Sequence, residues 1–222
     1  MTTAKNGLSA KTLERTLGVR DRVAWVKLQR FRVAMVRADR EQLTGEVEVD
    51  ETFLGGPKSR GKRGRGAVKN IVVIAVEIKR PRGFGRVRMR HIPDASGVHV
   101  LPFVTSVVMS GSSVLTDSWR GYSGLAARGY AHTKTNLSTS HDPAHVLMPG
   151  VHRIASLLKR WVLGTHQGSV TPDHLQSYLE EFTFRFNRRA SRNRGLVFQR
   201  LLEQAVATRP VTEGDVAGGY DW

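Results

Sequence analysis

Apolar and polar residues alternate along residues 45–53, the clearest pattern in the chain. One face of this stretch carries Val47, Val49, Glu51 and Phe53, and the other carries Glu46, Glu48, Asp50 and Thr52. Alternation with a period of two predicts a β-strand that turns one face toward an apolar core. Asp50 is therefore expected near the end of this strand, on its polar face.

Similar patterns continue along the middle of the chain. They predict four more strands, at residues 68–78, 85–92, 113–116 and 132–136, and two helices between them, at residues 97–109 and 118–128. The first three strands follow one another without a helix and are expected to form an antiparallel meander. The order β-β-β-α-β-α-β, followed by helices, predicts a mixed α/β fold rather than a repeated βαβ unit.

Helical periodicity marks both ends of the chain. Near the N-terminus, a break at Gly18 separates predicted helices at residues 8–17 and 21–36. This arrangement suits a helix-turn-helix, and it suits a plain helical hairpin equally well. Near the C-terminus, three helices are predicted at residues 152–163, 172–189 and 196–206. The polar residues 38–44 are expected to form a linker.

The charge of the chain predicts a polyanionic partner. Its 222 residues include 35 Lys and Arg against 19 Asp and Glu, which gives a formal net charge of +16. Nucleic acid is the leading candidate, with an acidic lipid or protein as the alternative. Cysteine is absent, which excludes disulfides, a thiol nucleophile and a zinc ribbon. Short apolar runs and the lack of a secretory signal predict a cytoplasmic, nucleoid-associated protein.

Two basic stretches are candidates for contacts with DNA phosphates. Residues 54–66 combine five glycines with five cations and no acid, so we expect a mobile phosphate-binding arm, although a solvated hairpin loop also fits. The cations of this arm are Lys58, Arg60, Lys62, Arg63 and Arg65. Residues 182–200 contain six arginines and no acid. We expect three of these arginines to face DNA, namely Arg185, Arg188 and Arg189.

Two carboxylates stand at the ends of predicted strands, Asp50 and Asp117. If the two strands are neighbours in the sheet, the carboxylates meet at one edge. Oxygen ligands of this kind suit Mg²⁺ or Mn²⁺, and two such ions about 4 Å apart drive in-line phosphoryl transfer. Strand-end acids also serve as caps or surface pairs, so the spacing alone leaves both interpretations open.

Four motifs follow one another along the chain. They are residues 48–56 (Glu-Val-Asp-Glu-Thr-Phe-Leu-Gly-Gly), 115–122 (Leu-Thr-Asp-Ser-Trp-Arg-Gly-Tyr), 157–166 (Leu-Leu-Lys-Arg and then Gly-Thr-His) and 178–189. In this order they resemble the signatures of a bacterial insertion-sequence transposase family with a DDE-type, ribonuclease-H-like catalytic domain. The resemblance extends over residues 8–203. It implies a mixed five-stranded sheet flanked by helices, two divalent metal ions, and cleavage and transfer of DNA strands at element ends.

Carried over by motif, Asp50 matches the aspartate of the first strand and Asp117 the aspartate that ends the fourth. The third ligand position lies seven residues before the motif lysine, Lys159, and is occupied by His152. Seven residues are two helical turns, so His152 and Lys159 share a helix face. The resemblance thus implies an Asp-Asp-His-Lys site in which His152 is a neutral imidazole ligand and Lys159, followed by Arg160, binds a phosphate.

Histidine in place of the glutamate common in related families has a chemical consequence. Imidazole suits later divalent metals better than it suits Mg²⁺, so Mn²⁺ is expected to support activity better. An alternative keeps His152 as a helix-start residue and takes the third ligand from Asp142 or His145.

Other residues near these acids have two interpretations each. Glu48 shares the face of Asp50 and is either an outer ligand or, the favoured interpretation, a bystander, whereas Glu51 points away. Trp119 and Tyr122 follow Asp117 and either stack on a DNA base or pack in the core, with core packing favoured for Trp119.

The resemblance also divides the chain. Residues 1–44 are expected to form a helix-turn-helix-like DNA-binding segment, truncated because such transposases begin with a zinc ribbon. Residues 45–206 form the catalytic domain, and residues 207–222 a disordered tail. The expected partner is double-stranded DNA, at transposon ends and target, bound by a homo-oligomer. The alternatives are a non-catalytic DNA-binding remnant and a ribonuclease-H-like nuclease that cuts without joining.

Overall fold

The computed structural model describes residues 2, 4, 6–37, 39–55, 69–136, 143–167 and 170–218. The chain divides into two compact units. The sheet unit comprises Glu41–Arg160, and the helical unit combines Met1–Arg40 with Trp161–Trp222. The division at Arg40 lies near the expected boundary at residue 44, but the C-terminal helices group with the N-terminal helices and not with the sheet.

The strands are β1 (Glu46–Gly55), β2 (Lys69–Ile78), β3 (Phe84–Ile92), β4 (Ser113–Asp117) and β5 (Ala131–Thr135). The helices are α1 (Ala10–Leu17), α2 (Asp21–Ala34), α3 (Gly97–Val107), α4 (Ala144–Leu147), α5 (Pro149–His166), α6 (Pro172–Asn187), α7 (Arg194–Ala207) and α8 (Glu213–Ala217). None of the helices in the described part of the chain is both long enough and apolar enough to cross a membrane.

The five strands form one mixed sheet in the order β3-β2-β1-β4-β5. The predicted meander is confirmed, because β1 pairs antiparallel with β2 and β2 pairs antiparallel with β3. Strands β4 and β5 extend the sheet in parallel, β4 beside β1 and β5 beside β4. This topology, with flanking helices, is the ribonuclease-H-like fold that the sequence predicted.

The alternation in β1 sorts its side chains onto two different surfaces. Val47 and Val49 are fully buried in an apolar core that also contains Phe103 and Val104 of α3. Burial of such side chains contributes roughly 1.5–3 kcal/mol each. The opposite face of β1 turns toward the start of α5, where Glu48 contacts Val151.

Two predictions for the sheet unit are wrong in detail. Leu43, expected in a polar linker, is fully buried and forms a parallel bridge with Val108, because it is the apolar residue of that segment and fills the core. The single helix expected at residues 118–128 is instead two 3₁₀ turns, Arg120–Tyr122 and Ala126–Arg128. Gly121 and Gly124 lie within this segment, and glycine disfavours a continuous helix.

The helical unit begins with the two predicted helices. Ser9 caps α1 by accepting a hydrogen bond from the backbone N–H of Thr12, and Gly18 ends it in the left-handed conformation at φ 65°. Among the residues of the core that α2, α6 and α7 share are Met35, Phe184 and Leu201.

Part of the tail expected to be disordered is the short helix α8. The side chains and backbones of Thr212 and Asp215 form a reciprocal capping box at its start, and Val216 is buried. Residues 219–222 lie outside the described residues.

A buried ion pair joins two helices of the helical unit. Arg32 of α2 donates from Nε to Oε2 of Glu181 of α6 at 2.9 Å, and the two side chains are 1% and 0% exposed. The guanidinium also lies 4.2 Å from the ring centre of Tyr178. Beside it, His166 packs edge-on against Tyr178 and Trp161. Burial, and then the charge of Arg32, lower the pKa of His166 to about 3.

Candidate active site

A groove of about 400 Å³ lies in the sheet unit between the end of β1 and the exposed side of α5. Its lining combines residues of β1, one residue of β2 and one face of α5: Asp50, Glu51, Thr52, Phe53, Ile74, Val151, His152, Ala155, Ser156 and Lys159. The prediction that His152 and Lys159 share a helix face is confirmed, because both line this groove with Ser156 between them. Strand β1 therefore brings Asp50 to the helix that carries His152.

Asp50 and Asp117 stand on adjacent parallel strands. The register pairs Val49 of β1 with Thr116 of β4, so the next residue on each strand is one of the two aspartates. The two acids therefore stand on neighbouring strands, but only Asp117 ends its strand, because β1 continues past Asp50 to Gly55. Asp117 also accepts a hydrogen bond at 2.9 Å from the backbone N–H of Trp119, which orients its carboxylate.

The environment of Asp50 disfavours its charged form. Burial raises the pKa of Asp50 to about 7, and the negative charges of Glu51 and Asp117 act in the same direction. A hydrogen bond of 2.8 Å from the backbone N–H of Glu51 opposes this effect only in part. A carboxyl group whose pKa is raised to about 7 beside other acids is typical of a functional site.

Glu51 turns toward Tyr122. The Tyr122 hydroxyl donates to Oε1 of Glu51 at 2.7 Å, and the Tyr122 ring is fully buried. Stacking of Tyr122 on a DNA base is therefore incompatible with this structure. Burial raises the pKa of Glu51, and the Tyr122 hydrogen bond lowers it in part.

Trp119 is not a core residue, contrary to the favoured interpretation of the sequence. Its side chain is 50% exposed, and its indole N–H donates to the backbone carbonyl of Ala95 at 2.7 Å. A Cβ on Gly121 would lie 2.8 Å from the indole nitrogen, so the glycine leaves space for the ring. The result is an exposed aromatic ring held in a fixed orientation two residues after Asp117.

His152 is half-buried and faces the groove. Its Nε2 is buried and has no hydrogen-bond partner among the described residues. Burial lowers the pKa of His152, and the positive charges of His145 and Lys159 act in the same direction. The lowered pKa favours the neutral imidazole, which is the form that binds metal ions.

Of the two alternative third ligands, His145 lies in the described part of the chain. His145 lies on α4, close enough to influence the charge of His152, but its side chain is exposed. Asp142 belongs to residues 137–142, which lie outside the described residues. Among the alternatives that the structure describes, His152 is the histidine that lines the groove with Asp50.

Glu48 has a structural contact that the sequence did not reveal. It is 2% exposed, and its Oε2 accepts a hydrogen bond of 3.0 Å from the backbone N–H of Val151, at the start of α5. Burial raises the pKa of Glu48, and the N–H groups of Val151 and Gly150 lower it in part. The signal in the sequence was an acid two residues before Asp50 on the same face.

The donors around the groove can be compared with the needs of a divalent cation. Asp50 and Asp117 supply carboxylate oxygens from adjacent strands, and His152 supplies an unpartnered imidazole nitrogen. Within the described ranges, no three His, Asp or Glu residues converge closely enough to hold a metal ion. The donor types fit such an ion, and a complete three-ligand cluster is not preformed.

The candidate DNA-binding residues occupy several environments. Lys58, Arg60, Lys62, Arg63 and Arg65 belong to residues 56–68, which lie outside the described residues. Lys159 and Arg160 are exposed on α5. In the helical unit, Arg185 donates to the carbonyl of Ala4.

Two further arginines, directly after the end of α6, stack on aromatic rings of that helix. Arg188 lies 3.9 Å from the ring centre of Phe184, and Arg189 lies 3.8 Å from that of Phe186. Such cation–π contacts hold the guanidinium groups against the helix surface. The expectation that these arginines face DNA stays a prediction.

The chain is similar in part to known proteins. A curated protein of Haemophilus influenzae described as an uncharacterized transposase-like protein is 27% identical over 96 residues, which are 43% of this chain and 76% of that protein. The catalytic core domain of BIV integrase matches with a TM-score of 0.41 at 12% identity, over 74% of this chain and 98% of that chain. The ISXO2-like transposase domain matches residues 42–187, more than half of the chain. The protein therefore belongs to the ISXO2-like transposase domain family.

Proposed function

We propose that this chain catalyses metal-dependent cleavage of DNA strands and their transfer at the ends of an insertion sequence. The observation that carries the proposal is that Asp50 stands on the strand next to that of Asp117 and lines a groove together with His152. Membership of a transposase family supports the same conclusion. The charge of +16 supports DNA as the partner.

Asp50, Asp117 and His152 are the residues that would hold two Mg²⁺ or Mn²⁺ ions. When bound, such ions activate an attacking oxygen and stabilise the leaving oxygen of a phosphodiester. The two aspartates would supply oxygen ligands and the imidazole a nitrogen ligand. Because one ligand is an imidazole, Mn²⁺ is expected to support a higher rate than Mg²⁺.

Lys159 in the groove and Trp119 beside Asp117 bind and orient the substrate. Lys159 lies two helical turns from His152 on the groove side of α5, where its ammonium group can pair with a phosphate near the scissile bond. The fixed ring of Trp119, beside Asp117, offers a stacking surface for a base next to that phosphate. Asp50 must lose its proton to act as a ligand, and its pKa near 7 places that loss in the physiological range.

Strand transfer with purified protein tests the proposal. A labelled oligonucleotide of the source element's end is incubated with Mg²⁺ or Mn²⁺ and wild type, Asp117→Ala or His152→Ala. Joined product from wild type that is lost in both variants is the expected result. Glu46→Ala is the matched control, because Glu46 is another β1 acid and pairs with Arg80 instead of lining the groove.

The other outcomes separate the alternatives. Cleavage without joining indicates a nuclease, and DNA binding without either reaction indicates a non-catalytic remnant. Product lost in Asp117→Ala but retained in His152→Ala assigns the third ligand to Asp142 or His145. We further propose that the active form is a homo-oligomer on paired ends, which sedimentation of the protein with and without end DNA tests.

A further inference from the structure

The first turn of α5 is fastened to strand β1 by one buried side chain. The carboxylate of Glu48 accepts a hydrogen bond of 3.0 Å from the backbone N–H of Val151, and the side chain is 2% exposed. The N–H groups in the first turn of a helix lack intrahelical partners and carry the positive end of the helix dipole. A carboxylate satisfies both requirements at once.

Gly150 allows the helix to lie directly on the sheet. A Cβ at this position would be 2.7 Å from Cδ1 of Ile78, 2.8 Å from Oε2 of Glu48 and 3.0 Å from Cγ1 of Val76. Val76 is the cross-strand partner of Glu48 in the β1–β2 pair. Any larger residue at this position would therefore push the start of α5 away from the two strands.

The two residues joined by this hydrogen bond, Glu48 and Val151, lie next to the candidate catalytic residues. Glu48 precedes Asp50 by two positions on the same face of β1, and Val151 directly precedes His152. The distance between the Asp50 carboxylate and the His152 imidazole therefore depends on how the helix start meets the strand. A shift of the first turn would move His152 and leave Asp50 in place.

We propose that Glu48 is a positioning residue that, together with the close approach at Gly150, sets His152 opposite Asp50. The proposal rests on the proposed function of that site. A bystander acid would be expected at the surface, because burying a carboxylate is unfavourable unless its hydrogen bonds are satisfied. Glu48 is buried, and the atoms it contacts belong to the segment that leads into His152.

Three variants test the proposal. Glu48→Ala removes the acceptor, Glu48→Gln keeps an acceptor oxygen without the charge, and Glu46→Ala is the control on the same face of β1. The rate of DNA cleavage at saturating DNA is measured together with DNA affinity and with hydrogen exchange of the amides at residues 150–152. Loss of groups that orient metal ligands costs about 10–100-fold in metal affinity or activity.

Glu48→Ala is expected to lower the cleavage rate by about 10-fold or more, raise the Mn²⁺ concentration for half-maximal rate, and leave DNA affinity unchanged. Its amides at residues 150–152 exchange faster. Glu48→Gln recovers most of the rate, and Glu46→Ala resembles wild type. A merely stabilising role would lower the unfolding temperature without changing the Mn²⁺ requirement, and that result would overturn the proposal.

Gly150→Ala provides an independent test if Glu48→Ala does not fold. It keeps the carboxylate but displaces the helix start, so the same loss of rate and the same higher Mn²⁺ requirement are expected. Wild-type kinetics in this variant would overturn the proposal. The exchange measurement needs no activity. Thus a wild type that cannot cleave DNA refutes the proposed function, whereas unchanged exchange in Glu48→Ala refutes the fastening of α5 itself.

Discussion

Buried carboxylates occur in both units, in opposite electrostatic settings. In the helical unit, Glu181 is fully buried and forms an ion pair with Arg32. In the sheet unit, Asp50, Glu51 and Glu48 lie close together, and none of them forms an ion pair with another described residue. Burial raises the pKa of each of these three acids.

The difference separates a structural use of charge from a functional one. A buried ion pair is locally neutral, and losing either partner leaves an uncompensated charge. A group of acids without a cation is unfavourable for folding, and such groups concentrate at sites that bind cations or transfer protons. The sheet unit therefore carries its electrostatic strain at the groove, where a cation would relieve it.

The largest predicted effect is the loss of stability when the ion pair between Arg32 and Glu181 is broken. Arg32→Met leaves the Glu181 carboxylate buried without its cation and should destabilise the helical unit by about 3–5 kcal/mol. Hydrogen exchange of the α2 and α6 amides under native conditions measures this unit separately. The control is Arg22→Ala, which breaks the exposed ion pair with Glu213 and should cost less than about 1 kcal/mol. Equal effects of the two substitutions would contradict the comparison.

Removing one carboxylate from the group of buried acids in the sheet unit should instead increase the free energy of unfolding. Asp50→Asn eliminates a carboxylate whose ionised form is disfavoured, so the sheet unit of the metal-free protein should gain on the order of 1–3 kcal/mol at pH 8. Cleavage activity should be lost in the same variant. The gain is measured as the change in urea midpoint, with Glu46→Gln as the control. A destabilised Asp50→Asn protein would show that the carboxylate serves the fold.

The two units should also respond to pH in opposite ways through one residue each. His166 has a pKa of about 3 in the folded protein and about 6.5 unfolded, so the unfolded chain binds more protons between these values. Its stabilising contribution is therefore complete above pH 6.5 and is lost as the pH falls toward 3. For Asp50, with a pKa of about 7 folded and about 3.8 unfolded, the folded protein binds more protons. Its contribution falls as the pH rises from about 4 to about 7.

Matched variants isolate these contributions, each of which changes by at most about 1.4 kcal/mol per pH unit. Urea denaturation of metal-free protein is repeated from pH 4.5 to 7.5 for wild type, His166→Phe and Asp50→Asn. Wild type should become more stable relative to His166→Phe as the pH rises. Wild type should become less stable relative to Asp50→Asn over the same rise in pH. A constant difference in either series would refute the corresponding assignment.

The sequence predicted the fold where local pattern and tertiary environment agree. The alternation from Glu46 to Phe53 located β1 because one of its faces is buried apolar and the other carries acids. The sequence failed where a contact distant in the chain decided the structure. Leu43 is part of the core because Val108 pairs with it, and α8 forms because Val216 finds a buried site. Neither partner can be identified from neighbouring residues.

The same limit applies to the site. The helical period placed His152 and Lys159 on one face, and the motifs brought Asp50 and Asp117 to adjacent strands, as the structure has them. The contact of Glu48 could not be predicted, because it depends on which helix covers that face of the sheet. The exposure of Trp119 depends in the same way on the nearby carbonyl of Ala95.

The smallest predicted effect concerns the cations of the two units. Lys159 is exposed, lines the groove and forms no ion pair with another described residue, whereas Arg189, just after the end of α6, stacks on Phe186. DNA affinity measured from 50 to 200 mM salt should therefore show a slope of log K against log salt that is shallower by about 0.9 in Lys159→Ala, the change expected for one phosphate contact. Lys159→Arg should keep the wild-type slope, because it retains the charge. Arg189→Ala should change the slope less than Lys159→Ala does. If the slope becomes shallower by about 0.9 in Arg189→Ala and does not change in Lys159→Ala, then the surface at the end of α6, and not the groove, binds the DNA backbone.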